Sequence, residues 1–162
     1  MITTTDFIRR SKYIHKATTE AAIEVASNLR EDDRREVVEG HGEDPLESIP
    51  PAIHEGLSAY FTLPNGKTAA LGGVYPGGII WMLTTPAIHD YPITFAREAK
   101  RFLDSMDYPL LWNIVDKRNT VHLKLLRFLG FKFIREVTYG PNNLSFIEFC
   151  RVRTFTNNRS SS

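Results

Sequence analysis

One stretch of the chain, residues 110–131, most strongly limits what the chain can fold into. Residues 110–115 are mostly apolar, as in a buried strand, and the polar residues 116–119 form a turn. Apolar side chains then recur at helical spacing over residues 120–129, and Gly130 ends the helix, as glycine commonly does. A buried strand followed at once by an amphipathic helix predicts an α/β fold.

The length and composition are those of a single globular domain and give no sign of a nucleic-acid or membrane partner. The 162 residues suit one globular domain, which we expect over residues 1–153, with residues 154–162 as a disordered polar tail. A net charge of +1 gives no reason to expect nucleic acid or an anionic membrane as a partner, and no apolar run is long enough to span a membrane. The single cysteine, Cys150, cannot form an intrachain disulfide, which fits a reducing compartment.

Hydrophobic periodicity along the chain predicts the element order β-α-α-β-β-β-α-β-α-β-β. Asn65-Gly66 indicates a type I′ hairpin turn, Pro50-Pro51 the start of a helix, and Asp90 the cap of another. The predicted strands cover residues 12–17, 59–63, 68–75, 79–83, 110–115, 131–137 and 144–152. The predicted helices cover residues 21–29, 52–57, 93–106 and 120–129, and residues 31–39 are a charged helical stretch.

Five residues of the strand–helix unit fit a known register, V-x-x-x-N-x-x-A-x-x-L-Y-x-x-x-G-F. They are Val115, Asn119, Leu125, Gly130 and Phe131. The unit therefore resembles the last strand–helix unit of the GNAT (Gcn5-related N-acetyltransferase) fold, and the predicted element order resembles the fold as a whole. The resemblance implies a mixed, mostly antiparallel central sheet with splayed central strands, flanked by helices.

In the GNAT fold, the gap between the splayed strands holds acyl-coenzyme A, whose pantetheine arm pairs with exposed strand backbone. Here the resemblance places those strands at residues 79–85 and 110–115, with acetyl-coenzyme A as the cofactor and no metal. The alternative is that these residues simply close the sheet. The implied cofactor-binding residues are Met82, Leu83, Thr84, Thr85 and Asn119.

Two positions depart from the pattern of the family. The pyrophosphate of coenzyme A is normally bound by the N–H groups of a glycine-rich loop at a helix N-terminus. The corresponding residues 84–92 contain no glycine or arginine, and they include two prolines, which lack an N–H, and the acidic Asp90. Leu126 stands where many members carry a tyrosine that protonates the leaving thiolate. Both departures argue against ordinary catalysis.

Three residues are the candidate catalytic groups. His122 replaces a small residue of the family pattern and could exchange a proton near neutral pH, although a lone helix histidine is usually structural. Glu55, with Glu47 and His54 as alternatives, could deprotonate an amine from the predicted helix 52–57, although exposed carboxylates are usually only solvated. Asn113, in a predicted strand, either forms a core hydrogen bond or faces a cleft.

A narrower resemblance rests on residues 80–87 (Ile-Trp-Met-Leu-Thr-Thr-Pro-Ala), on Leu111-Trp112-Asn113 and on residues 119–130. These segments resemble GNAT-like proteins of short-tailed bacteriophages and prophages, described as internal virion protein A. In that group a glycine-poor turn after the central strand is ordinary. The resemblance implies a protein of the host bacterial cytoplasm or the virion, with phage virion or host proteins as partners.

These observations leave functions of different classes open. The first is an acetyl-coenzyme A-dependent N-acetyltransferase acting on a primary amine of a small molecule or host protein. The second is a bacteriophage internal virion or assembly-associated protein with a degenerate acyl-coenzyme A site. The third is an acyl-coenzyme A binder without catalysis. The missing glycine-rich loop and the leucine at position 126 favour the second hypothesis.

Overall fold

The structure is a computed structural model that describes residues 2–153. The predicted tail, residues 154–162, lies outside the described residues. The helices are α1 (Thr4–Arg10), α2 (Thr19–Ser27), α3 (Glu31–Arg35), α4 (Pro45–Ala52), α5 (Pro92–Asp104) and α6 (Thr120–Phe128), with a π-helical turn at Glu36–Gly40 and a 3₁₀ turn at Pro86–His89. The strands are β1 (Ile14–Lys16), β2 (Leu57–Thr62), β3 (Thr68–Tyr75), β4 (Ile79–Thr84), β5 (Leu110–Asp116), β6 (Lys132–Tyr139) and β7 (Leu144–Val152).

Within the described residues, the strands form one seven-stranded sheet in the order β1-β2-β3-β4-β5-β7-β6. Neighbouring strands are antiparallel except for β4 and β5, which are parallel. Parallel neighbours need a crossover, and α5 provides it. The predicted mixed, mostly antiparallel sheet flanked by helices is confirmed.

The two faces of the sheet carry separate apolar cores. On one face, α5 and α6 pack over the sheet around side chains such as Phe61, Phe102 and Phe149. On the other face, α2 and α4 cover β2 to β4 around Val25, Ile49 and similar side chains. Alternation along β4 sends Ile80 and Met82 to the first face, whereas odd-numbered residues of the strand face α2 and α4. The second face of the sheet is thus covered over only part of its width.

Several local predictions were wrong for identifiable reasons. A type I′ turn requires a positive φ at both central residues. Gly66 has a positive φ of 80°, but Asn65 does not, so the turn is not of type I′. Asp44 and the following proline, rather than the double proline at 50–51, begin α4, so residues 53–56 are a turn and Glu55 is not helical. Asp90 accepts from the Asn65 side chain instead of capping α5.

A close backbone contact joins the π-helical turn to the β6–β7 turn. Gly140 has φ 80°, and a Cβ there would lie 1.9 Å from the C=O of Gly40. A Cβ on Gly40 would lie 2.6 Å from the ring of Phe146 on β7. These contacts place the Glu36–Gly40 turn against the end of the sheet, beside β5.

We predict that Gly140→Ala destabilises the protein much more than Gly66→Ala. Both glycines have φ 80°, but a Cβ on Gly66 meets no atom within 4 Å. We expect Gly66→Ala to lower the free energy of unfolding by about 1 kcal/mol through backbone strain, and Gly140→Ala by about 3 kcal/mol because a clash adds to the strain. Urea unfolding measures both, and equal losses would show that Gly140 does not hold this contact.

Candidate functional site

The two central strands part directly after their first contact. In the described residues, the register of β4 and β5 is fixed at one pair, Ile79 and Trp112. The N–H of Trp112 donates to the C=O of Gly78 at 3.0 Å. The ladder then ends, so a gap opens between the carboxyl-terminal halves of β4 and β5.

The side chain of Asn113 takes the place of the next rung of the ladder. Its Nδ2 donates to the C=O of Ile80 at 2.7 Å, and its Oδ1 accepts from the N–H of Ile114 at 2.7 Å. In an unbroken parallel ladder, the N–H of Ile114 would donate directly to the C=O of Ile80. The amide therefore stands between the strands like an added peptide group and holds them apart.

Past this amide bridge, alternate backbone groups of β4 face the gap. The N–H of Thr85 donates to the C=O of Ala69 on β3 at 2.8 Å. Because bonded pairs alternate along an antiparallel ladder, the backbone of Leu83 also bonds to β3, whereas the backbones of Met82 and Thr84 point toward β5.

The open end of the gap is filled by the segment that contains α3. The N–H of Arg30 donates to the C=O of Thr84 at 3.0 Å, and the carboxylate of Asp33 accepts from the N–H of Thr84 at 3.0 Å. On the opposite strand, the N–H of Asp116 donates to the carboxylate of Glu36 at 2.9 Å. The chain itself thus satisfies the polar backbone groups at this end of the gap.

Asp33 is the centre of a buried polar cluster, and its side chain is 1% exposed. Its carboxylate accepts from the hydroxyl of Thr84, from Nδ2 of Asn119 at 2.8 Å and from Nη1 of Arg30 at 3.3 Å. Nε2 of His122 lies 3.3 Å from the same carboxylate. Donors from separate parts of the chain converge on one charge, as a buried carboxylate requires.

Burial lowers the pKa of His122, which is the largest effect on this ring. The charge of Asp33 opposes the decrease in pKa, and the charge of Arg30 adds to it. The ring is therefore neutral at neutral pH, with its proton on the nitrogen that faces Asp33. In this position His122 is a hydrogen-bond donor within the cluster rather than an exposed base.

The pKa of Glu36 is raised to about 8, chiefly by burial and further by the carboxylates of Asp33 and Asp116. The N–H of Asp116 and the side chain of Asn119 oppose this rise in pKa. Glu36 is consequently largely protonated at neutral pH while one of its oxygens still accepts from β5. A carboxyl group with this pKa could also take up or release a proton close to neutral pH.

A cavity of about 320 Å³ is lined by residues from both faces of the sheet at the gap. Met82, Asn113 and Ile114 line it where the strands part. Apolar side chains of α5 and α6, including Leu126, line one side. The segment from Glu36 to Glu43 and side chains of α4 line the other side. The volume is at the lower end of the range for small-molecule sites.

The structure brings several of the residues predicted from the sequence together. Thr84, Asn119 and His122 meet at Asp33, and Met82 borders the cavity. These contacts place the predicted catalytic histidine and part of the predicted cofactor set in one buried cluster.

The other predicted residues take different positions. Asn113 forms the bridge between the strands, and Leu83 contributes its side chain to the cavity. Thr85 caps the 3₁₀ turn through its hydroxyl, which accepts from the N–H of Ala87 at 3.3 Å. Glu55 is exposed in the turn between α4 and β2 and does not line the cavity.

The sequence pattern does not distinguish Arg30, Asp33 or Glu36 as site residues. Their segment has alternating charges and no apolar stripe, which is typical of a solvated helix. The three-residue spacing of Asp33 and Glu36, with Val37 beside them, was the available signal, because it places two carboxylates on one face of a helix. Their partners are distant in sequence, so the spacing alone could not identify them.

The gap does not fit the pantetheine arm of coenzyme A. The Thr84 and Asp116 backbone groups that could pair with it are bonded to the segment containing α3, and two carboxyl groups lie there. The N-terminus of α5 has no side-chain cap, so its first N–H groups could still bind an anion. The part of the expected site that would bind the pyrophosphate is thus partly present. The part that would bind the pantetheine arm is blocked by the chain itself.

Comparison with solved structures shows that the chain has the GNAT fold. A GNAT-family acetyltransferase from Streptococcus pneumoniae is 15% identical with a TM-score of 0.59, covering 87% of this chain and 98% of that one. One from Bacillus anthracis is 14% identical with a TM-score of 0.62, covering 86% and 93%. A variant spermidine N-acetyltransferase from Vibrio cholerae is 12% identical with a TM-score of 0.63, covering 91% and 96%.

The sequence itself matches no protein-family model and no curated protein. Since the structural likeness occurs at such low identity, it establishes the fold and leaves the activity to be argued from the site. Among residues 2–153, no helix is long and apolar enough to cross a membrane. The same residues contain no group of three or more side chains placed to bind a metal ion.

We predict that Asp33→Asn destabilises the protein by about 3 kcal/mol or more, because it removes the more deeply buried of the two carboxylates that pair with Arg30 and gives Thr84 an amide in place of a carboxylate. The matched control is Glu31→Gln, since Glu31 is exposed and pairs with Arg34 at the surface. We expect this control to lower the free energy of unfolding by about 1 kcal/mol or less. Chemical unfolding at pH 7 compares the two, and similar losses would contradict the central role of Asp33.

We predict that Glu36→Gln removes a specific pH dependence of stability. The folded state holds the Glu36 proton to about pH 8, whereas an unfolded glutamate releases it near its ordinary pKa of 4.5. The contribution of Glu36 to stability therefore falls as the pH rises from about 4.5 to 8. Glutamine keeps the acceptor for the Asp116 N–H, so we expect the variant to be on the order of 5 kcal/mol more stable than the natural protein at pH 9 and similar at pH 4.5.

Urea unfolding between pH 4.5 and 9 measures this difference. Glu24→Gln, at an exposed position of α2, is the control and should change stability little at any pH. A difference between the natural protein and Glu36→Gln that does not change with pH would contradict the raised pKa of Glu36.

Proposed function

We propose that this chain is a bacteriophage GNAT-fold protein, internal to the virion or associated with its assembly, whose acyl-coenzyme A site is degenerate. It would act in the cytoplasm of the host bacterium or in the particle, through contacts with virion or host proteins. The resemblance of residues 80–87, 111–113 and 119–130 to such phage proteins motivates the phage assignment.

The blocked gap carries the proposal. In an acetyltransferase of this fold, the strand gap must stay open to the pantetheine arm, whereas here Asp33 and Glu36 occupy its polar groups. Leu126 in addition has no proton to give to a leaving thiolate. A scaffold role requires neither an open gap nor an acid at that position, so both features are compatible with it.

An uncovered part of the sheet gives such a role a contact surface. Leu110 on β5 is paired with Val152 on β7, and Trp112 lies two residues further on the same face of the sheet. These side chains are 43%, 66% and 36% exposed, respectively. Grouped exposed apolar side chains are more typical of a surface that contacts another protein than of a solvated face.

The alternative is an active N-acetyltransferase acting on a primary amine, with acetyl-coenzyme A as cofactor. Two observations favour it: the uncapped N-terminus of α5, and the pKa of Glu36, which is raised to about 8 by burial. Glu36 lines the cavity and could accept a proton from an amine bound there. Under this alternative Glu36 is a stronger candidate for the base than Glu55, because Glu55 lies outside the cavity lining.

Calorimetric titration of the full chain with acetyl-coenzyme A, and separately with coenzyme A, tests the proposal. We expect no binding heat at ligand concentrations up to about 1 mM, which corresponds to a binding free energy weaker than about −4 kcal/mol. Micromolar binding would contradict the blocked gap. It would lead to an assay of thiol release with a panel of primary amines, using Glu36→Gln to test the base and Glu55→Gln as control.

The phage assignment has its own test. Particles purified from a lysate should contain the protein, and external protease should leave it intact until the particles are opened. Absence from purified particles and from assembly intermediates would overturn the virion role, whatever the result with coenzyme A.

A further inference from the structure

The cavity has a distinct polar mouth on the face of the sheet that carries α2 and α4. Trp81 and Ile114 form its floor, because odd residues of β4 and even residues of β5 face this side. The segment from Glu36 to Glu43 and α4 form its walls. This mouth lies on the opposite side of the sheet from the α5 N-terminus and does not require coenzyme A to be bound.

The mouth carries negative charge with no positive side chain to balance it. Glu43 supplies this charge beside the largely protonated Glu36, and within the described part of the chain no lysine or arginine is part of the cavity lining. The pKa of the Tyr75 hydroxyl is raised mainly by burial and further by the carboxylates of Glu55 and Glu43. The negative charges of Glu43 and Glu55 therefore both reach the wall that contains Tyr75. These charges disfavour binding of an anionic ligand there.

The same wall contains a pair of aromatic rings. Tyr75 and Trp81 stack with ring centroids 5.8 Å apart and planes 20° apart, and both line the cavity. Aromatic faces attract organic cations, and the attraction increases when water is excluded. Nε1 of Trp81 is buried and has no hydrogen-bond partner among residues 2–153. This N–H lies inside the wall of the cavity, so its signal reports on a ligand that packs against the ring.

We propose that this mouth binds a small organic cation of the quaternary ammonium class. The cationic head lies against Tyr75 and Trp81 with Glu43 at the rim. The ligand is bound without reaction, since a quaternary nitrogen has no proton to lose and cannot be acetylated. The proposal is independent of coenzyme A binding and of the virion role.

Three probes of nearly the same shape separate charge from fit. Choline carries the cation and a hydroxyl, 3,3-dimethylbutan-1-ol is its neutral isostere, and 3,3-dimethylbutanoate is an anion of similar bulk. Titration of ¹⁵N-labelled full chain without coenzyme A follows the two indole N–H signals of the chain. We expect choline to shift the Trp81 signal, to leave that of Trp112 unchanged, and to bind roughly tenfold more tightly than the neutral alcohol.

Variants assign the effect to the residues named. Trp81→Phe identifies the Trp81 signal and keeps an aromatic ring, so it should weaken choline binding without abolishing it. Glu43→Gln should weaken choline binding severalfold and leave the alcohol unaffected. Glu47→Gln, an exposed carboxylate on α4 outside the cavity lining, is the matched control and should change neither. Circular dichroism verifies that each variant is folded.

Other results would overturn the proposal. Equal or tighter binding of the neutral alcohol or the anion would show that the site does not recognise positive charge. No shift of the Trp81 signal with choline at tens of millimolar would show that the mouth is not a cation site. Because no coenzyme is present, failure here and failure of the proposed function are separate outcomes.

Discussion

The side-chain amide of Asn113 is the constraint on which the site depends. By accepting from Ile114 and donating to Ile80, it satisfies the two backbone groups that would otherwise join β4 and β5. An apolar side chain at this position would leave both groups either unpaired or free to close the ladder, and buried backbone groups rarely remain unpaired. The Asn113 amide thus takes the place of one backbone hydrogen bond between β4 and β5. The gap, the cavity and the cluster that fills the open end all depend on this replacement.

Once the strands are apart, the polar groups at their ends must be satisfied by some other part of the molecule. In an open cleft, water or a ligand would do so. Here Arg30, Asp33 and Glu36 do so, which places an ion pair and a raised-pKa carboxyl group in the interior. Such groups are stable there only because each is hydrogen-bonded, so the segment from Arg30 to Glu36 and the gap stabilise each other. The close contact of Gly40 with Gly140 holds the far end of this segment in place.

Much of the fold could be predicted from the sequence, because it depends on local patterns. The strand and helix between residues 110 and 129 are set by apolar periodicity and by Asn119 and Gly130, and the structure places them as expected. The start of α4 was mispredicted because two proline signals competed and the pair of Asp44 with the next proline determined the helix. The role of Asp33 could not be predicted, because its partners Thr84 and Asn119 are distant in sequence and nothing local distinguishes a buried carboxylate from a solvated one.

The leucine at position 126 and the blocked gap differ in how readily a substitution could reverse them. A tyrosine in place of Leu126 would restore a proton donor, but it would face a gap whose polar groups are already bonded to Asp33 and Glu36. Removing those carboxylates would open the gap, yet it would take a buried ion-pair partner from Arg30 and leave the N–H groups at the ends of β4 and β5 without their acceptors. An ordinary coenzyme A site therefore cannot be recovered by a single substitution without loss of stability. The mouth of the cavity on the α2–α4 face is not subject to this conflict, because its aromatic wall and the carboxylate of Glu43 take no part in closing the gap.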